Sequence, residues 1–137
     1  MGPGGTTIYL ASATSVGSGH FLGLGASSAL FERNNVVIPV DAIITGIVLN
    51  VRDAALGDDD TVTATVYTSP CGFGEPIQTN LYAMVEGPSS EADPHCCATG
   101  FESVAVDQCT LLSVEIVTST GNALNGGAAV TVFLSIP

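Results

Sequence analysis

The chain has 137 residues, of which 46% are hydrophobic and only 11% are charged. This composition is typical of one folded domain with a sizeable core, and it excludes intrinsic disorder. Thirteen acidic residues against two basic ones give a formal net charge of −11, which excludes nucleic acid and anionic membranes as natural partners. No apolar run approaches the ~18 residues that a membrane span needs, and no signal peptide is visible.

Short apolar segments alternate with turn-forming residues throughout, and no helical period is sustained over ten residues. In the segment 61–69 the residues Val62, Ala64 and Val66 alternate with threonines, as in a strand with one buried face. Eight to ten strands with a turn every 8–12 residues predict an all-β sandwich, jelly roll or barrel. In chain order the predicted strands are 6–12, one or two short strands within 19–32, 35–40, 42–53, 61–69, 79–86, 101–107, 110–119 and 127–136.

Charge is absent from long stretches of the chain, including residues 1–31, 61–74 and 116–137. A monomer of this size usually surrounds its core with charged side chains, whereas here many outward positions are Ala, Ser, Thr, Val or Gly. Such a surface is suited to burial against copies of itself, which favours a homo-oligomer. A monomer with a threonine-rich surface remains the alternative.

Three adjacent aspartates, Asp58, Asp59 and Asp60, follow Gly57 at the tip of a predicted loop. Neighbouring carboxylates repel one another unless water or a cation neutralises them, and calcium prefers six to eight oxygen ligands. The first interpretation is a solvated turn that promotes solubility. The second is a calcium site, and calcium is the one cofactor that the sequence suggests.

Four cysteines, Cys71, Cys96, Cys97 and Cys109, allow three pairings of all four. Disulfide bonding is the favoured interpretation, with Cys71 or Cys109 paired to one of the two adjacent cysteines, within one chain or between chains. A metal site that includes His95 is a second interpretation, although adjacent cysteines seldom ligate one zinc ion. Buried free thiols are the third.

No set of residues predicts an enzyme. The chain has no Gly-X-Ser-X-Gly elbow, no complete Gly-X-Gly-X-X-Gly fingerprint and no coherent nucleophile, base and oxyanion donor. We therefore expect no catalytic residues.

The order of segments resembles a known family. Gly-Pro-Gly-Gly-Thr-Thr leads into a first strand with YLAS, and FLGLG and VVIPVDAIITGIVLNV follow. TVTATVYTSP, a Gly/Pro loop, FESVAVDQCTLLSVEIVTST and a final strand GGAAVTVFLSI complete the order. Over roughly residues 5–137 this resembles the C-terminal head of bacterial collagen-like surface proteins, with the BclB-type exosporium glycoproteins of spore-forming bacteria as the nearest resemblance. The four cysteines depart from that pattern.

The resemblance implies a compact antiparallel jelly roll of the complement/TNF kind, assembled as a homotrimer that holds a collagen stalk in register. Residues 1–7 would then be the stump of a Gly-X-Y stalk or a flexible leader, frayed in the isolated head, and residues 8–137 the head domain. The implied role is trimerisation and display at the surface of a spore, with a phage or virus fibre as the other setting. The alternative is an adhesion module whose loops 57–60, 71–78 and 87–99 bind a host receptor or glycan.

Overall fold

The computed structural model describes residues 4–51, 56–71 and 75–136, and in these ranges the chain is built of β-strands and one 3-10 turn, Phe31–Arg33. The predicted all-β jelly-roll sandwich is confirmed. The strands are β1 (Gly4–Ser12), β2 (His20–Leu22), β3 (Leu24–Gly25), β4 (Ser27–Ser28), β5 (Val36–Val37), β6 (Ala42–Val51), β7 (Thr61–Pro70), β8 (Ile77–Glu86), β9 (Cys97–Val106), β10 (Thr110–Thr118) and β11 (Ala128–Ile136).

Two sheets form the sandwich. The first sheet has the order β3-β1-β11-β6-β9, and the second has the order β4-β2-β10-β7-β8 with β5 also paired to β10. From β8 to β11 the chain crosses between the sheets at every connection, so sequence neighbours such as β9 and β10 lie in different sheets. This crossing pattern is what wraps a jelly roll around a single core.

The core lies between the sheets and follows the period-2 alternation of the strands. Val62, Ala64 and Val66 of β7 are fully buried, as their alternation with threonine predicts. Each fully buried Val, Leu or Ile contributes about 1.5–3 kcal/mol relative to an exposed position. The largest fully buried side chains are Leu10, Leu22, Ile38, Ile44, Ile47, Leu49, Leu81, Leu112, Ile116, Val16, Val51 and Val62.

The strand β1 pairs with β11 along its whole length, from Gly4 opposite Ile136 to Ser12 opposite Ala128. The predicted boundary between residues 1–7 and 8–137 therefore falls inside β1. The expectation of a frayed leader is wrong for residues 4–7, because the backbone groups there pair with those of the central strand β11. The pairing also brings Gly4 and Ile136 together at one end of the sandwich, which we call the proximal end.

The loops 13–19, 56–60, 87–96 and 119–127 gather at the opposite end, which we call the distal end, because β1, β8 and β10 end there and β7, β9 and β11 begin there. Leu56 and Ser89 exchange two backbone hydrogen bonds of 3.2 and 3.0 Å and tie two of these loops together. The proximal end carries the connections 71–76 and 107–109.

The strand β9 begins at Cys97, four residues earlier than predicted. The small and polar residues of Cys97–Gly100 give no clear strand pattern in the sequence. A strand forms there because β6 supplies its partners, from Ile47 opposite Gly100 to Asn50 opposite Cys97. A Cβ at Gly100 would overlap the carbonyl oxygen of Tyr82 in β8, so glycine lets the two sheets close at this edge.

Other boundaries shift less. β8 begins at Ile77 rather than at residue 79, and the predicted segment 19–32 holds three short strands and the 3-10 turn. The predicted strand 42–53 ends at Val51, and its last two residues lie outside the described residues.

Removing residues 1–7 should lower the melting temperature by several degrees, whereas removing residues 1–3 should leave it unchanged. The longer deletion takes away four pairs of the β1–β11 ladder, and each lost backbone hydrogen bond costs about 0.5–1.5 kcal/mol. Differential scanning calorimetry of the two truncated proteins compares them directly. Equal melting temperatures would contradict the pairing of residues 4–7.

Candidate association face and loop sites

The outer face of the first sheet presents apolar side chains to solvent. Tyr9 is 66% exposed and Phe101 is 79% exposed, although both lie on strands of a packed sheet. We call this surface the association face. Its side chains are those of Thr7, Tyr9, Ala11, Leu24, Ile43, Val48, Asn50, Cys97, Thr99, Phe101, Ala105, Ala129, Thr131, Phe133 and Ser135, which alternate with core residues along their strands or pair with residues that do.

A pair of phenylalanines flanks the strand β6 on this face. Phe133 on β11 and Phe101 on β9 stand on either side of Gly46 in β6, to which both are register partners. A Cβ at Gly46 would lie 3.3 Å from the Phe101 ring and 3.4 Å from the Phe133 ring, so the glycine leaves a shallow gap between the two aromatic side chains. Next to this row the ladders are irregular, because Thr45 of β6 has no partner in β11 and Glu102 and Ser103 of β9 have none in β6.

Charge avoids the association face. Among the described acidic residues none lies on it, although the whole chain carries thirteen. Glu102 on β9 instead lines a groove with Gln78 and Asn80 along the β8 edge. The strong acidity of the chain is thus kept off one broad surface, which remains uncharged and aromatic.

The outer face of the second sheet differs because the chain itself covers part of it and because it carries Glu86 and Glu115, although Tyr82, Met84 and Val117 stay exposed there. The side chains of Phe21 and Phe31 are each only 7% exposed, and Phe21 makes edge-to-face contacts with the rings of Phe31 and Tyr67 at 5.6 and 5.2 Å. The Tyr67 hydroxyl donates to Glu115 at 3.1 Å, and burial together with the Glu115 charge raises the pKa of Tyr67. The phenol therefore stays protonated as a donor at neutral pH.

The distal end holds a cavity of about 360 Å³. Carboxylate, hydroxyl and amide groups line its rim, with an apolar floor from residues such as Leu124. The polar lining residues are Asp60, Thr61, Thr118, Thr120, Asn122 and Asn125. This mixture of hydrogen-bonding groups around an apolar floor could accommodate a small polar ligand.

The three aspartates lie at the distal end, as a turn between Leu56 and β7. Asp60 accepts a hydrogen bond from the Gly57 backbone N–H at 2.8 Å, so this carboxylate already closes its own turn. Within the described ranges, no group of three or more His, Cys, Asp or Glu side chains converges on a point where a metal ion could sit. The calcium site at Asp58, Asp59 and Asp60 stays a prediction that needs further ligands from solvent or another copy.

Calcium at this turn should release or absorb heat on titration and raise the melting temperature above that in chelator, because an ion bound only to the folded state stabilises it. Calorimetry of the wild type against Asp58→Asn/Asp59→Asn makes the comparison. The absence of both heat and melting shift in the wild type would end the calcium prediction.

The four cysteines occupy opposite ends of the sandwich, and all four carry free thiols in this structure. Cys96 and Cys97 lie at the distal end, where the Cys96 carbonyl accepts from Val51 N–H at 2.9 Å, whereas Cys71 and Cys109 lie at the proximal end. The intervening strands rise about 3.3 Å per residue over ten residues. The expected pairing of Cys71 or Cys109 with Cys96 or Cys97 within a chain is therefore wrong, since no disulfide spans about 30 Å.

The predicted binding loops also separate. The loops 57–60 and 87–96 meet at the distal end, but 71–76 lies at the proximal end, with residues 72–74 outside the described part of the chain. Residues 77–78 and 97–99 belong to β8 and β9 and are not loop. His95 forms a 3.6 Å contact with Asp93, with both side chains open to solvent.

Comparisons with known proteins identify the fold. No protein family and no curated protein matches the sequence. A chain of the capsid of Ralstonia phage GP4 is 15% identical, with a TM-score of 0.55 over 97% of this chain and 84% of that chain. The structure of Eiger TNF from S. frugiperda is 9% identical, with a TM-score of 0.53 over 96% of this chain and 92% of that chain. These likenesses establish a TNF-like jelly roll.

The described residues contain no helix with the length and hydropathy of a membrane span.

Proposed function

We propose that this chain is a non-enzymatic trimerisation and display head, which holds three chains of a collagen-like surface fibre in register. The association face is the surface that three copies bury against one another. Self-association is the proposed role because the uncharged surface and the jelly-roll fold both favour it.

The observation that carries the proposal is the exclusion of charge from a face that bears Tyr9, Phe101 and Phe133. Three copies bring together three times the charge of −11, which repels at close range unless the contact surfaces carry no acid. Aromatic side chains with a shallow gap between them also supply the apolar centre that stable interfaces have. A free monomer gains nothing from exposing them.

The position of Gly4 supports the stalk. Gly4 pairs with Ile136 at the proximal end, so three copies assembled side by side in one orientation would hold their three Gly4 residues at that same end. A collagen triple helix needs three chains brought together in register, and a trimeric head raises their local concentration. The assignment of residues 1–3 to the stump of a collagen stalk remains part of this proposal.

An aspartate in place of Phe101 on the association face should dissociate the assembly. Phe101→Asp places three carboxylates in an apolar contact, which costs several kcal/mol of association free energy. The native mass should fall from three times 13.8 kDa to 13.8 kDa.

Tyr82→Asp is the matched control, because Tyr82 is also an exposed aromatic residue, at 54%, but lies on β8 of the second sheet. This variant should keep the mass of the wild type. If Phe101→Asp stays assembled while Tyr82→Asp falls apart, the association face has been assigned to the wrong sheet.

A second candidate function rests on the distal cavity. Hydroxyl and amide groups on Thr120, Asn122 and Asn125 around an apolar floor suit a sugar, which favours an adhesion module that binds a glycan of a host surface. The two functions are compatible, since the cavity lies away from the association face.

The isolated head on a glycan array tests the adhesion function. A bound glycan should lose about tenfold in affinity with Asn125→Ala, the effect of one hydrogen bond, and nothing with Asn80→Ala at the β8 edge. A head that binds no glycan, or one that is indifferent to Asn125→Ala, removes this function.

We place the assembled head outside the cell, at the surface of a particle. The resemblance favours the spore exosporium, and the phage fold relative favours a virus particle as the other setting.

A further inference from the structure

Cys71 and Cys109 are the two residues other than glycine that have positive φ among the described residues, at 52° and 75°. An L side chain is disfavoured in this left-handed region, which glycine usually occupies. Two such residues of the same reactive type in one domain require an explanation.

Cys109 fills a position that normally belongs to glycine. Thr110 N–H donates to the Asp107 carbonyl at 3.2 Å and closes a turn with Cys109 as its third residue. Cys109 N–H donates to the Ile38 carbonyl, and Ile38 N–H donates to the Thr110 carbonyl, each at 2.8 Å. Two residues thus face the single residue Ile38, in the bulge type whose first residue adopts the left-handed conformation.

The register of β7 and β10 brings the two cysteines together. The ladder is antiparallel and regular from Thr118 opposite Val62 to Thr110 opposite Pro70, so the next positions are Cys109 and Cys71. Opposed residues of antiparallel strands have Cα atoms about 4.5–5.5 Å apart, so the two cysteines leave the ladder next to a pair, Thr110 and Pro70, whose spacing lies within the range that disulfides span. Both cysteines are exposed, so both thiols are open to an oxidant.

We propose that Cys71 and Cys109 form a disulfide within one chain under oxidising conditions. A small-molecule disulfide such as oxidised glutathione is the oxidant. One cysteine thiolate attacks it and releases one glutathione thiolate, and the second cysteine thiolate then attacks the mixed disulfide and releases the other. The two cysteine thiols lose two protons and two electrons, and the oxidant becomes two thiols.

The bond would close the chain around β8 and β9, the edge strands on one side of the two sheets. It would therefore hold in place the strand that carries Phe101. The inference stands apart from the proposed trimer, because a monomer has the same β7–β10 register.

Peptide mapping after oxidation reads the pairing. Cleavage after glutamate, with free thiols first alkylated, separates peptides 33–86, 92–102 and 103–115, which contain Cys71, the adjacent pair and Cys109 respectively, because Pro76 blocks cleavage after Glu75. The expected product is 33–86 joined to 103–115, with two hydrogens lost. A link from either peptide to 92–102, or only glutathione adducts on Cys71 and Cys109, would overturn the proposal.

The oxidised protein should melt about 10 °C above the reduced one, because the bond restricts the unfolded chain. Cys71→Ser should abolish this shift, and the matched control Cys96→Ser/Cys97→Ser should keep it. A shift that survives Cys71→Ser, or a wild type without one, would count against the bond. Peptide mapping of the wild type decides the pairing even if a serine variant fails to fold.

Discussion

The rest of this structure depends on the association face, the uncharged outer side of the first sheet. One side of the first sheet must pack against the second sheet, and the other side carries Tyr9, Phe101 and Phe133 in water with no acidic residue among the described positions. On the outer side of the second sheet Phe21, Phe31 and Tyr67 pack against one another, and the exposed Tyr82, Met84 and Val117 share that side with the acidic residues Glu86 and Glu115. The asymmetry between the two outer faces is the physical reason to place self-association on the first sheet.

The remaining candidate sites lie at the two ends of the sandwich. The distal end contains the carboxylate turn, the polar cavity and the adjacent cysteines, while the proximal end contains the paired residues Gly4 and Ile136 together with Cys71 and Cys109. A head built this way would meet its stalk at one end and its surroundings at the other. The cysteine pair would then strengthen the end from which the stalk leaves, without touching the ligand-facing loops.

The sequence predicts most of the fold because strands with one buried face alternate apolar and polar residues along the chain. Val62, Ala64 and Val66 alternate with threonine, and the structure buries all three. The start of β9 at Cys97 was missed because its pairing is imposed by β6, and Gly100 is required by the approach of β8. Gly4 and Gly5 carry little strand signal, and the resemblance to a stalk-bearing head assigned residues 1–7 to a leader although the pattern predicts a strand from Thr6; β11 pairs with all of residues 4–7.

The candidate sites were harder to predict, because they depend on register. Alternation around Ile8 and Leu10 puts Tyr9 outward, but only the ladder shows that Phe133 and Phe101 flank Gly46 in the neighbouring strands. Likewise, spacing alone left three cysteine pairings open.

The mass of the wild-type chain in native solution, by sedimentation equilibrium over a range of concentrations, tests the central claim most directly. The account predicts three copies of 13.8 kDa, and a monomer at every concentration would contradict it.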